Sequence, residues 1–435
     1  MGFWEVVAIG IGGMVGGGIF AVLGLSVQLT GGGAPLAFLL GGSVALITAY
    51  SYARLSVTYP SQGGTVEFVS RAFGRGLATG SLNVLLWISY IVMLALYAYA
   101  FAQYGAPLLG AESSALTHHL LLSGVILALA ALNAAGATVV GDAELWIVGI
   151  KVTILVLFAA AGLRALAPQR LAPATWAAPL PLIAGGMLVF LAYEGFELIA
   201  NTAADVTDGR RTLPRAYFTA VGIVAVLYVA VATATVGNLP VDRIVAARDY
   251  ALAEAARPVL GGAGFALIAV AAVLSTASAI NATLYGAARV SYTIAKEGEL
   301  PAVFERRVWN RPVEGLALTA GTTLVVANLL DLSSIATMGS AGFLVIFAVV
   351  NAANARRAAD TGSRAWLSWL GSGVCIAALA ALVWETARHD PGRLMALGVM
   401  TTLSVAVELT YRHLGPRRRH RTPAIGTSGG ARRET

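Results

Sequence analysis

Charge is what this 435-residue chain has least of: 12% of its residues are Asp, Glu, Lys or Arg, while 57% are hydrophobic and the mean hydropathy is +0.76. An ordinary soluble domain carries about 25% charged residues, so the polar surface here is too small to cover a water-facing globule. Lysine is nearly absent, Lys151 and Lys296 being the only two. A single cysteine, Cys375, excludes an intrachain disulfide and a thiolate metal cluster. The apolar runs hold no HExxH, GxSxG or P-loop signature, which removes the commonest metal-ligand, nucleophile and phosphate-binding arrangements of a membrane-embedded enzyme. No cofactor and no metal are expected. The five histidines, His118, His119, His389, His413 and His420, fall near predicted helix ends and loops, and the adjacent pair reads as solvated.

What the chain has instead is apolar runs, each long enough to cross about 30 Å of hydrocarbon. They fall near residues 5–28, 35–56, 78–104, 118–136, 143–163 and 181–204, and again near 214–237, 260–294, 314–330, 332–352, 366–386 and 393–413. The fold class is therefore an all-α integral membrane protein of about twelve spans, a single unit over 1–413. Only Asp331 and a few polar neighbours separate the ninth run from the tenth. An even count puts both termini on one side. With that side cytoplasmic, 21 of the 29 basic residues lie on cytoplasmic segments or their membrane edges, as the positive-inside rule requires. The net charge of +7 then reflects topology in the plasma (inner) membrane, with lipid as its partner and no nucleic acid. The first run lacks the basic lead and cleavage site of a secretory signal, so it is expected to stay in the mature protein. Trp4 and Glu5 stand unusually close to the membrane, which leaves a longer N-terminus open. Residues 414–435 are basic, carry Pro, Gly and Ser and are poor in apolar residues, and are expected to form a disordered cytoplasmic tail.

The first run holds six glycines in nine residues, Gly10, Gly12, Gly13, Gly16, Gly17 and Gly18. Each costs a helix about 1 kcal/mol relative to alanine, so the span is expected to break there. Backbone groups freed in mid-membrane must face protein or a polar cavity, because lipid offers them no partners. The sixth run is interrupted too: FLAYEGFEL places Glu194 and Glu197 where each carboxylate costs on the order of 2.5 to 3.5 kcal/mol. A second break is expected around 192–195. Disruptions at the first span of each of two five-span halves point to an inverted-repeat transporter, with repeats near 5–163 and 181–352 and two appended helices over 366–413.

Four ordered motifs carry a resemblance to a known family. They are GGGIF (Gly16 to Phe20), YARLSVTYPSQGGTVEFVSRAFG (Tyr52 to Gly74), FLAYEGFELIANTAADVTDGRRTLPRA (Phe190 to Ala216) and STASAINATLYGAARVSYTIAKEGELP (Ser275 to Pro301). Nearly the whole chain resembles the amino acid/polyamine/organocation permeases, which share the fold of the bacterial leucine transporter. The resemblance implies a substrate site between the broken helices of spans one and six. Local chemistry agrees: amides of Gly16, Gly17 and Gly18 at a helix N-terminus suit a carboxylate. Carbonyls of Met14, Phe190, Leu191 and Glu194 suit an ammonium group, and Tyr193 and Phe196 are candidates for the side-chain pocket. Tyr90, Tyr97 and Phe20 read as packing residues.

Lys151 lies in the apolar run ELWIVGIKVTILVLF, about 10 Å from the span's end. Burial disfavours the charged form of an amine, which makes a proton carrier of it. In proton-coupled members of the resembled family a fifth-span lysine takes the place of sodium. That implies Ser275, Ser278 and the carbonyl of Gly12 or Val15 as its neighbours; the alternative is a permanently charged structural ammonium. Glu197 either responds to protonation or holds the broken helix, and Glu194 either favours a cationic substrate or points away from the pocket. The function expected is amino acid uptake by proton symport through alternating access, with H+ as coupling ion. An amino acid/amine exchanger is the alternative, and an amino acid sensor or a channel lies outside the class. The sequence leaves the substrate and the oligomeric state open.

Overall fold

The computed structural model describes residues 1–110, 114–135, 140–296 and 313–414. The tail and the end of the fourth motif beyond Lys296 lie outside these residues. Span 1 is a bent pair, Phe3–Met14 and Gly18–Thr30, whose halves differ in direction by 46°. Spans 2 to 5 are Ala34–Thr58, Leu77–Leu108, Ala115–Ala135 and Val140–Ala165. Span 6 runs from Pro179 to Asp205, span 7 is Gly209–Asn238, and span 8 lies within Ala251–Lys296. Spans 9 to 12 are Val313–Leu329, Leu332–Arg356, Ala365–His389 and Pro391–Leu414. Ten of these helices are long and apolar enough to cross a membrane, and the bent pair makes an eleventh. Val313–Leu329, with 17 residues and so about 26 Å long, takes the ninth place and completes the expected twelve. Among the described residues the only β pairing is one isolated bridge between Gly31 and Trp176.

Local sequence sets the boundaries. Asp331, the weak divide between spans 9 and 10, is an N-cap: its Oδ1 accepts the Ser334 N–H at 3.2 Å and starts span 10 afresh. Proline opens spans 6 and 12, where its missing N–H costs nothing. Gly261, at φ 67°, divides the short approach helix from the body of span 8.

Packing partners repeat at an offset of five. Span 5 lies on spans 7 and 8, and span 10 lies on spans 2 and 3; span 2 packs along span 7, and span 3 along span 8. A short amphipathic helix, Thr65–Phe73, follows span 2, and another short helix, Val241–Ala246, follows span 7. Spans 1 and 6 pair half to half: Phe3–Met14 lies on the second part of span 6, and Gly18–Thr30 on the first. Spans 3, 6 and 10 are almost wholly enclosed by protein, whereas spans 4 and 12 turn most of their surface outward.

Span 6 departs from the expected form. It does not open around 192–195. The α-helix Pro179–Phe190 passes directly into a 3-10 helix, Leu191–Asp205. Tighter winding keeps i→i+3 hydrogen bonds in a region with no water to replace them, so Phe190, Leu191 and Glu194 sit in wound backbone rather than at freed carbonyls. Runs of 3-10 helix longer than about four residues are uncommon and mark strain or a hinge, so the second discontinuity is a change of helix type.

Candidate functional site

The break in span 1 occupies Val15 to Gly17. The Val15 N–H still reaches the Ile11 carbonyl at 2.7 Å, after which its ψ of 48° takes the chain out of the helix. Gly17 restarts it as the N-cap of the second half, at φ −75°. None of Gly16, Gly17 and Gly18 has a positive φ. Glycine supplies room here, not left-handed backbone. A β-carbon on Gly16 would stand 2.8 Å from the Ala279 Cβ of span 8, one on Gly18 would stand 2.7 Å from the Ala192 Cα of span 6, and one on Gly17 would enter the Tyr97 ring of span 3. Spans 3, 6 and 8 thus close around the break. The first N–H groups of Gly18–Thr30, before Ala21 N bonds the Gly17 carbonyl at 2.9 Å, have no intrahelical acceptor and carry the positive end of the helix dipole. Such an end favours negative charge.

The carbonyl end of Phe3–Met14 is capped from two other spans. The Lys151 ammonium of span 5, fully buried, donates to the Gly12 carbonyl at 3.1 Å. The Tyr228 hydroxyl of span 7 donates to the Met14 carbonyl at 2.7 Å and reaches the Ala192 carbonyl at 3.4 Å. A cation at a helix C-terminus is favoured by the dipole, so this bond serves both the lysine and the broken helix. Ser275 and Ser278 are buried on span 8, which packs along span 5, and the Ser275 hydroxyl has no partner among the described residues.

The two carboxylates of span 6 lie on one face, because residues three apart eclipse in a 3-10 helix. Both oxygens of Glu197 are engaged: Tyr90 donates to its Oε1 at 2.5 Å, and its Oε2 lies 3.1 and 3.4 Å from the hydroxyls of Tyr52 and Thr65, which also bond each other at 2.8 Å. It therefore ties spans 2 and 3 and the helix Thr65–Phe73 to span 6. Glu194 accepts only the Tyr97 hydroxyl, on Oε1 at 3.3 Å; its Oε2 is buried without a partner among the described residues.

Other residues named from the sequence face elsewhere. The Tyr193 hydroxyl donates to the Phe38 carbonyl of span 2 at 2.9 Å, with its ring 5.1 Å from that of Tyr228. Phe196 packs with Tyr52, Tyr217 and Phe347, and Phe190 stacks edge-on to Phe347 at 5.5 Å. Leu191 fills the space beside Gly339 of span 10. Tyr90 and Tyr97 do more than pack, since each donates to a buried carboxylate. Tyr228, Tyr52 and Thr65 join the site without having been named from the sequence. A signal existed: a buried tyrosine hydroxyl needs an acceptor, and acceptors inside apolar spans are few. His118 and His119 are not simply solvated. His118 stacks on Tyr99 at 4.4 Å, and His119 Nδ1 pairs with Asn328 Oδ1 at 2.7 Å. Among the described residues no group of three His, Cys, Asp or Glu could hold a metal ion.

Residues 1–405 match the family described as amino acid permease. The chain is 39% identical over 351 residues to an uncharacterized protein of Methanocaldococcus jannaschii, covering 80% of this chain and 81% of that one. It is 36% identical over 355 residues to the inner membrane transport protein YbaT of Escherichia coli, covering 80% and 82%. A more distant relative, cationic amino acid transporter 7 of Arabidopsis thaliana, is 24% identical over 457 residues, covering 96% and 76%.

Proposed function

Because the chain belongs to the amino acid permease family, and is therefore a membrane transporter and not an enzyme, we propose that it takes up amino acids by proton symport through alternating access. The observation that carries the reading is the break in span 1. One side of it presents the amide end of Gly18–Thr30, which suits the substrate carboxylate, and the other is tied to the Lys151 ammonium through the Gly12 carbonyl. Substrate and proton would then act on the same broken helix. Span 6, wound as a 3-10 helix against it, is the second moving part, in the manner of leucine-transporter-like folds with broken helices at the substrate site. The coupling ion is H+, and no other cofactor is invoked.

Proteoliposomes holding the purified protein are expected to concentrate one or more L-amino acids when an inward proton gradient is imposed, with saturable kinetics. Exchange would instead require a counter-substrate inside and would ignore the gradient. A channel would show no concentrative phase, and a sensor would bind without uptake. The carboxylate assignment adds a second expectation: the decarboxylated amine of the best substrate should compete far more weakly than the substrate itself. Equal competition would contradict it.

The orientation proposed is the plasma (inner) membrane with both termini in the cytoplasm, as the Lys and Arg distribution indicates. Cys375 is buried and alone, so a Cys375→Ser background is free of cysteine. Single cysteines placed at Arg210 and Arg356 are expected to react with an impermeant maleimide only after the cells are opened. Labelling of either in intact cells would reverse the topology.

A further inference from the structure

Glu194 is the one carboxylate of the site left half-bonded. It is 3% exposed, its Oε1 is held by the Tyr97 hydroxyl, and its Oε2 has no partner among the described residues. Its neighbours fix its height. Ala192, two residues before it, meets Gly18, and Gly195, one residue after it, meets Gly13. Those contacts bracket the break in span 1, and the Tyr97 ring that holds Glu194 also lies against Gly17. The tethered carboxylate therefore stands at the level of the break in span 1.

Two of the carbonyls that would otherwise receive an ammonium group already hold a donor: Met14 accepts from Tyr228, and Gly12 from Lys151. The 3-10 winding from Leu191 onward keeps the carbonyls beside the break in i→i+3 bonds. A buried carboxylate oxygen without a partner is costly, while a charge-assisted bond to it is strong. Resting on the amino acid reading above, we infer that Glu194 Oε2 is the subsite for the substrate's ammonium group, opposite the helix end that takes its carboxylate. The substrate class is then amino compounds, zwitterionic or cationic, with the ammonium held by a side-chain carboxylate. Glu197 differs from it in that both of its oxygens already accept hydroxyl hydrogen bonds.

The test uses the full chain in proteoliposomes and a radiolabelled protein hydrolysate as substrate mixture. The amino acid that competes best is then compared with its 2-hydroxy acid analogue, in which a hydroxyl replaces the amine. Glu194→Gln is expected to weaken competition by the amino acid about thirtyfold or more, the order seen on truncating one partner of a buried charge pair. Competition by the 2-hydroxy acid should be unchanged. Tyr97→Phe keeps the charge but removes its tether, and should weaken the amino acid selectively by a smaller factor. It carries the test if Glu194→Gln fails to elute as a folded species. Unchanged amino acid affinity in the variants, or an equal loss for amino acid and hydroxy acid, overturns the subsite and leaves the transport reading intact. A wild-type protein that takes up nothing from the mixture overturns both.

Discussion

Lys151→Ala is expected to leave a protein that still binds amino acid but accumulates none against a gradient, so that its internal concentration rises only to that outside. The ammonium is fully buried and donates to the Gly12 carbonyl near the end of Phe3–Met14. If it is charged in one facing of the transporter and neutral in the other, protonation stabilises the first selectively. An equilibrium between two states moves only through such differential stabilisation. Removing the side chain removes the link between proton and conformation, and uptake should also lose its dependence on pH. Alanine leaves the Gly12 carbonyl without this donor, at a cost of about 1 to 3 kcal/mol, so Lys151→Met, which keeps the volume, is the companion variant. Lys151→Arg makes the converse case: arginine does not deprotonate in proteins, so the charge is fixed and turnover should stall with binding retained. The measurement is uptake of the best substrate across an imposed pH gradient, beside equilibrium binding of the same substrate. Uphill uptake by Lys151→Ala at the wild-type level would sink the assignment and move attention to Glu197.

The parts of this molecule legible in the sequence are those that one segment decides alone. Span number follows from runs of apolar residues, and even the faint divide at Asp331 is local, an aspartate capping the helix that follows it. The break in span 1 is similar, because its glycines stand together. A lone lysine in an apolar run must find a carbonyl, and Gly12 was among the few on offer. What the sequence hid depends on partners far along the chain. Glu194 and Glu197 announced a disturbance in span 6, but unwinding and rewinding disturb a helix equally well on paper. The 3-10 segment meets hydroxyls of residues 52, 65, 90 and 97 and seats closely against span 1, all of them remote in the chain. The acceptors of the Tyr90 and Tyr97 hydroxyls are hidden for the same reason: an acceptor on another span has no signature near the donor.

The other large effect expected is on assembly, from Gly195→Val. A β-carbon at Gly195 would run into the Gly13 carbonyl and the Met14 nitrogen, and one at Gly13 would stand 2.6 Å from the Gly195 carbonyl oxygen. The obstacle in each case is backbone, which no change of rotamer relieves, so spans 1 and 6 would have to separate. Separation would loosen the Tyr228 bridge between Met14 and Ala192 and lift the break away from Glu194. Overpacking of this kind costs about 1 to 3 kcal/mol even where side chains can yield, and here the higher end or beyond is expected. Gly124→Val is the control, since no heavy atom lies within 4 Å of a β-carbon there and the residue faces outward on span 4. Thermal unfolding of the purified proteins in detergent should place Gly195→Val well below wild type and Gly124→Val beside it. Equal midpoints for the two variants would mean that spans 1 and 6 do not rely on this contact, and that the rewound helix is held to the break by its side-chain hydrogen bonds alone.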